Sequence, residues 1–258
     1  MSSTQAIDLN SDLGEGFGPF RVGADEALFP LISSANVACG FHGGDPAMME
    51  LTVIRARDHG VAVGAHPGFP DRAGFGRRAM AATAAEIRTD VLYQLGALAG
   101  ICRAAGVEIQ HVKAHGALYN MAVGNLGVAT AIAEAVRGFD SKLRFFAIPG
   151  SALHDAGETA GLTVVREAFA DRAYLADGSL VPRSQPGAVI ENPELAAERM
   201  IQLVTHGTIE TVDGDTLTLE TDTICIHSDT PGAVELAGAI ALRFSEAGIA
   251  IRNFGNRE

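Results

Sequence analysis

Asp58-His59-Gly60-Val61 reads as a helix stop that feeds a strand, and the same step returns at Ala105-Gly106-Val107, Ala160-Gly161-Leu162 and Ala247-Gly248-Ile249. Glycine has no Cβ to clash in the left-handed position after a helix, and the Val, Leu or Ile that follows favours a buried strand. Helix starts are marked as plainly. Asp45-Pro46, Asn192-Pro193 and Thr230-Pro231 each set a capping side chain before a proline that needs no amide donor, and Thr83 with Glu86 makes a capping box. These signals predict helices over 46–58, 84–105, 126–136, 152–160, 193–205 and 233–247, with strands over 7–10, 35–38, 61–65, 109–114, 144–148, 163–167, 224–227 and 249–252. Such alternation calls for parallel strands joined by helical crossovers. Seven or eight βα units favour a (β/α) barrel, deformed or incomplete, over an open doubly wound sheet. Two stretches interrupt it. Alternating Thr, Val and Leu around Asp213-Gly214 make 208–220 a β-hairpin insertion, and 171–187 follows a strand end, where barrels carry covers and specificity loops.

The bulk composition agrees with one barrel domain over residues 1–258, since this architecture takes about 250 residues. Hydrophobic residues make up 47% and charged ones 19%, with no charge block or low-complexity tract, so the body is globular. A net charge of -12 repels phosphate backbones and anionic lipid surfaces, which argues against nucleic-acid or membrane partners. No apolar run reaches the roughly 18 residues that span a bilayer, and MSSTQAIDLN lacks a basic region ahead of an apolar one, so a cytoplasmic protein is expected. Cys39, Cys102 and Cys225 are odd in number and unpaired in spacing, which fits reduced thiols.

Polar residues gather at the ends of the expected strands: Asn10, Asp12 and Glu15 after the first, His42 and Asp45 after the second, His66 after the third, Lys113 and His115 at the fourth, Glu167 at the sixth, His227 and Asp229 at the seventh. A barrel brings those ends to one rim, so residues distant in sequence can converge on one ligand. The alternation in Ile7-Asp8-Leu9-Asn10 and His111-Val112-Lys113-Ala114-His115 turns the apolar set towards the helices and the polar set inward. Unpaired charge there costs several kcal/mol, on the order of the usual desolvation penalty, so partners or a ligand are required. Only Lys113 and Lys142 occur in the chain; Lys142 belongs to a surface loop, whereas Lys113 lies in a strand, as an ion-pair partner for an interior carboxylate or as a cation for a substrate anion. His59 and His206 precede helix-ending glycines and His154 belongs to a helix surface, which are structural positions. His42, His66, His115 and His227 stand at equivalent strand ends. Asp12, His42 and His66 offer the donor types of a hydrolytic divalent-metal site, although no H-E-x-x-H or H-x-H spacing specifies one. Asp45 has a simpler role as a helix cap. The chain contains neither G-x-x-x-x-G-K-[ST] nor G-x-S-x-G, hence no ordinary ATP loop and no nucleophile elbow.

The segments Asp8-Leu9-Asn10-Ser11-Asp12-Leu13-Gly14-Glu15-Gly16-Phe17-Gly18, Ser34-Ala35-Asn36-Val37-Ala38-Cys39-Gly40-Phe41-His42, Gly64-Ala65-His66-Pro67 and Val112-Lys113-Ala114-His115-Gly116-Ala117-Leu118-Tyr119-Asn120 resemble the LamB/YcsF family. So do Glu167-Ala168-Phe169-Ala170-Asp171-Arg172-Ala173-Tyr174, Leu180-Val181-Pro182-Arg183 and His227-Ser228-Asp229-Thr230-Pro231-Gly232-Ala233-Val234, so the likeness runs in order along nearly the whole chain. Ala114 and Ser228 depart from the usual proline and glycine, two small replacements that bear on substrate selectivity. The resemblance implies a barrel similar to the glycoside hydrolase and deacetylase type. It also implies the A-subunit role in an ATP-dependent 5-oxoprolinase, opening 5-oxoproline to L-glutamate with B and C subunits. ATP would then act at the level of the complex, bound by the partners. On that reading Asp12 or Glu15 serves as general base, His42, His66 or His115 as proton donor, Lys113 and Arg183 as anion holders, and Asn10, His227 and Asp229 as orienting groups. Two other readings stay open: a stand-alone metal-dependent deacetylase or carbohydrate-active hydrolase, and a non-catalytic subunit that binds a small acid. The sequence leaves a homo-oligomer equally open.

Overall fold

The computed structural model describes residues 5–256. Its strands in chain order are β1 (Ala6–Leu13), β2 (Ser34–Ala38), β3 (Ala62–His66), β4 (Ile109–Val112), β5 (Arg144–Ala147), β6 (Thr163–Phe169), β7 (Thr208–Glu210), β8 (Thr216–Thr218), β9 (Thr223–His227) and β10 (Ala250–Ile251). The helices are α1 (Asp25–Leu28), α2 (Pro46–Asp58), α3 (Ala84–Ala105), α4 (Gly116–Gly124), α5 (Leu126–Phe139), α6 (Ala152–Thr159), α7 (Pro193–His206) and α8 (Ala233–Glu246). Strands β1 to β6 pair in parallel in sequence order; β9 then pairs with both β6 and β1, which closes a seven-stranded parallel barrel. The expected eighth strand is a stub. Ile7 and Leu9 present carbonyls to the same edge of β1, one accepting from Arg252 N at 2.9 Å and the other from Ser33 N at 2.8 Å. β10 therefore lies below β2 on that edge and adds no stave.

The local signals account for most element ends. Asp45 accepts from Met48 N at 2.9 Å with Pro46 at the first turn of α2, and Asn192 caps α7 in the same way. Thr83 and Glu86 bond reciprocally at the start of α3, and Gly106 ends that helix with φ of 68°. Thr230 is the exception. α8 begins after Gly232 with no side-chain cap, and the Thr230 hydroxyl donates to Asp171 instead. The expected hairpin forms as antiparallel β7–β8.

One apolar core fills the space between strands and helices, built from Leu9, Val37, Val63, Val112 and Phe145 on the strands and Val53, Leu95, Ile132, Met200 and Ile240 on the helices. Inside the barrel the filling is polar. Asp8 accepts from Ser33, Ser34 and Thr223, and one layer higher Asn10, Asn36, Glu167 and Thr223 bond to one another. Barrels ordinarily fill this space with branched apolar side chains. Here each polar layer is satisfied by the next, the condition under which buried polar groups are tolerated. His111 enters from β4, meets Asn36 Oδ1 at 2.7 Å and stacks on Phe146. A Cβ at position 64 would overlap its ring, so the glycine in β3 is a packing requirement, and the β3–β4 register shifts between Val63 and Gly64.

Candidate active site

Because every stave runs the same way, the C-terminal strand ends form one rim, and the chemistry-bearing side chains stack upward from the barrel interior. Asp12 leaves β1 with Oδ1 held by Asn36 Nδ2 at 2.8 Å and Lys113 Nζ at 3.0 Å. Lys113, 3% exposed, also meets Glu167 Oε1 at 3.0 Å and Cys225 Sγ at 2.9 Å. Glu167 accepts from the Tyr119 hydroxyl at 2.9 Å, which ties the start of α4 to the barrel floor. Above this layer His66 Nε2 lies 3.3 Å from Asp12 Oδ2 and 3.0 Å from His115 Nδ1. Glu15 Oε1 stands 3.2 Å from His115 Nδ1 and 3.0 Å from His42 Nε2, and the His42 and His115 rings stack face to face at 3.6 Å. His42 Nδ1 is buried with no hydrogen-bond partner among the described residues.

A strained turn supports this cluster. Phe75 has φ of 54°, the left-handed region that a phenylalanine rarely enters, and it is the only non-glycine residue there among the described ones. That conformation aims the Phe75 carbonyl at His115 Nε2, 2.8 Å away. Asp71 stabilises the turn by accepting from Gly74 N and pairing with Arg78.

At the mouth, His227 Nδ1 meets Asp171 at 2.9 Å and its ring stacks on Phe169. Arg77 pairs with Asp229 at 2.8 Å. The segment after β6 folds back as a flap: Arg172 pairs with Val189 and Tyr174 with Leu180 as isolated bridges, and the Arg172 guanidinium donates to the carbonyls of Val181 and Ala188. A cavity of about 570 Å³ opens between flap and rim. It is lined by Asp12, His66, Lys113, His115, His227 and Arg183, together with Arg77, Tyr119, Asn120 and Arg172.

The electrostatics divide the two carboxylates. Burial opposes ionisation of Asp12, but the neighbouring His66 and the Lys113 ammonium outweigh it and hold the carboxyl well below its ordinary range. Burial, with Asp12 and Asp229 nearby, pushes Glu15 well above it. Carboxyls driven apart in this way are the usual basis of acid and base assignments. Burial and the neighbouring rings hold His42 and His115 low, so both are neutral. Burial works against the Lys113 ammonium, yet Asp12, Cys225 and Glu167 keep it charged.

Of the residues singled out in the sequence, six line the cavity. Asn10, Glu15 and His42 lie behind its wall, and Asp229 reaches it through Arg77. Asn10 has both amide ends engaged in the barrel interior, which suits it to holding Lys113. Asp45 takes no part beyond its cap and its bond to Gly18 N. Sequence reasoning passed over Arg77, and it gave no individual role to His111, which it turned inward, or to Asp171 and Tyr119. Arg77 follows a glycine-rich loop with no periodic signal, and the role of Asp171 depends on a partner 56 residues away.

Glu15, His42, His66 and His115 each offer one donor atom, all within 4.8 Å of one another, and so do Asp12, Cys225 and His227. The ammonium of Lys113 already sits among the second group, bonded to Asp12 and Cys225, whereas no lysine or arginine among the described residues is bonded within the first.

The profile of the LamB/YcsF family matches residues 7–258. The chain is 52% identical over 245 residues to the A subunit of 5-oxoprolinase from Symbiobacterium thermophilum, covering 95% of this chain and 94% of that one. It is 52% identical over 247 residues to the A subunit of 5-oxoprolinase from Bordetella pertussis, covering 96% and 98%. Among solved structures, the lactam utilization protein from Thermus thermophilus superposes with a TM-score of 0.94 at 49% identity, over 97% of this chain and all of that one.

Proposed function

The chain belongs to the LamB/YcsF family, and on that premise we propose that it is the ring-opening subunit of an ATP-dependent 5-oxoprolinase, converting 5-oxoproline to L-glutamate. The observation that carries this reading is full-length likeness, at half identity, to relatives bearing that name. The site suits the chemistry. A lactam is a resonance-stabilised amide, and coupling its opening to ATP makes sense if the ring oxygen is first phosphorylated to give a better electrophile. The chain has no ATP loop, so we assign activation to the B and C subunits and ring opening to this one, in the cytoplasm and within one domain over residues 1–258.

Asp12, held ionised at the cavity wall, takes the proton from water as its oxygen adds to the ring carbon. As the carbon–nitrogen bond opens, the ring nitrogen takes a proton from a histidine facing the cavity, the ring carbon is left as an acyl phosphate, and a second water releases inorganic phosphate to give L-glutamate. The sequence reading gives that role to His42, His66 or His115, but those rings are bonded within the buried cluster, and we assign it to His227, whose ring Asp171 orients at the cavity. Arg183 and Arg77 at the mouth, with Lys113 at the floor, receive the carboxylate and phosphoryl oxygens of an anionic substrate. Asn10 and Asp229 position Lys113 and Arg77.

Glutamate release from 5-oxoproline and ATP is to be measured for this chain alone, for the B and C subunits alone, and for the mixture. Release only in the mixture is expected. No gain on adding this chain would remove the proposal and favour a stand-alone, ATP-independent, metal-dependent deacetylase or carbohydrate-active hydrolase, the second reading that the His/Glu cluster supports.

A further inference from the structure

Two backbone carbonyls determine what the histidine cluster can hold. Lys113 O lies 2.8 Å from His66 Nδ1, and Phe75 O lies 2.8 Å from His115 Nε2. A carbonyl only accepts, so those nitrogens carry hydrogen, which leaves His66 Nε2 and His115 Nδ1 as the inward-facing ring atoms. These two nitrogens face each other at 3.0 Å. Glu15 Oε1 stands 3.2 Å from one and 3.9 Å from the other, and His42 turns its Nε2 to the same oxygen at 3.0 Å. All four residues are buried, each from the end of a different strand. Nitrogen and oxygen donors meeting in a dry pocket repel unless a proton or a metal cation lies between them. The separations among His66 Nε2, His115 Nδ1 and Glu15 Oε1, 3.0, 3.2 and 3.9 Å, bracket the edge of roughly 3.3 Å of a tetrahedron of nitrogen and oxygen donors about 2.0–2.1 Å from a metal.

We propose that Glu15, His66 and His115 hold a divalent transition-metal ion of the zinc class, with His42, whose ring stacks parallel on His115 and so cannot share an in-plane ion with it, bonding Glu15 from the side. Imidazole and carboxylate suit that class, and the carbonyls of Lys113 and Phe75 orient two of the ligands from behind. This replaces the set expected from sequence. Asp12 has one oxygen committed to Lys113 and Asn36 and stands beside the ion rather than completing its shell. When bound, the ion supplies positive charge at the cavity floor next to Asp12. The inference rests on side-chain geometry alone and stands whether or not the substrate is a lactam.

The test measures metal, not turnover. The purified full-length chain is stripped with a chelator, dialysed and titrated calorimetrically with Zn2+, and metal content is read by mass spectrometry. One equivalent per chain is expected, with a rise in Tm on loading. His66→Asn and Glu15→Gln are expected to weaken binding at least tenfold, while His227→Asn, which removes a member of the other group, keeps the equivalent. Less than a tenth of an equivalent in the wild type, or unchanged binding in both ligand variants, overturns the proposal and leaves a shared proton as the cluster's cation. If the variants fail to fold, the Co2+-loaded wild type decides: tetrahedral d–d absorption with nitrogen and oxygen ligands supports the site, and an octahedral aquo spectrum rejects it.

Discussion

Asp12 is the residue that joins the barrel floor to the cavity. Its charge is set by Lys113 and His66 and its position by Asn36, so Asp12→Asn keeps the shape and removes the base. Ring opening by the complex is expected to fall by about 10²–10⁴-fold, the usual worth of a general base, with the circular dichroism spectrum unchanged. Retained turnover would take Asp12 out of the mechanism. Asp25 gives a cleaner pH signature. Burial raises its carboxyl from 3.8 to about 6, against the bond it accepts from Gly14 N at 2.8 Å, and its Oδ1 has no partner among the described residues. Between those two pH values the folded chain keeps a proton that the unfolded chain releases. Its stability therefore falls as pH rises through that window and stays lower above it. Asp25→Asn keeps an acceptor for Gly14 and removes the charge, so a Tm gain is expected at pH 7.5 that fades towards pH 4. A gain of equal size at both pH values would mean the charge is not its origin.

At the scale of elements, caps with a geometric grammar are readable in sequence, and those that depend on distant partners are not. Thr83 and Glu86 were expected to close a capping box and do so. Thr83→Ala should cost about 1 kcal/mol in urea denaturation, as N-cap truncations do. A cost near zero would mean that α3 is held by tertiary packing alone. Thr230 carries the same composition signal, but Asp171 claims its hydroxyl, and a residue from another loop cannot be anticipated from local spacing. α4 escaped the sequence reading for a related reason. It starts at Gly116 behind His115 with no side-chain cap, and its apolar residues show no face because it is wedged between the rim and two other helices. The flap after β6 was expected as a cover, and the structure places Ser179, Leu180, Pro182 and Arg183 against the cavity.

Over the whole molecule, an acidic protein of net charge -12 concentrates Arg77, Arg172, Arg183 and Lys113 around one opening, so the local field favours anions where the overall charge does not. Lys113 is also the hub of the polar interior. Lys113→Met leaves Asp12 and Glu167 buried without their cation, and a loss of about 3–5 kcal/mol is expected in chemical denaturation, the range for breaking one side of a buried pair. A loss under about 1 kcal/mol would show that the interior readjusts freely. The thiols report on the same cohesion. Cys39 and Cys102 are buried, with burial pushing both up to about 12, and Cys225 is raised as well. The native chain at pH 8 should react negligibly with a thiol reagent, and all three thiols should react once it is denatured.

The alternation of elements, the glycine stops, most caps, the hairpin and the inward polar parity were legible in the chain, because each depends on residues within a turn or two of one another. Those local rules were enough to specify parallel strands around a barrel and to gather Asp12, His42, His66, Lys113 and His115 at its rim. They could not set the number of staves. Closure depends on β9 meeting β1 and β6, a pairing that spans 215 residues between Asp8 and Thr223. Nor could they decide which donor atoms face one another. The Lys113 and Phe75 carbonyls assign the histidine hydrogens, Lys113 claims Asp12, and Asp171 turns His227, all through contacts between chain segments that only the folded barrel brings within hydrogen-bonding distance.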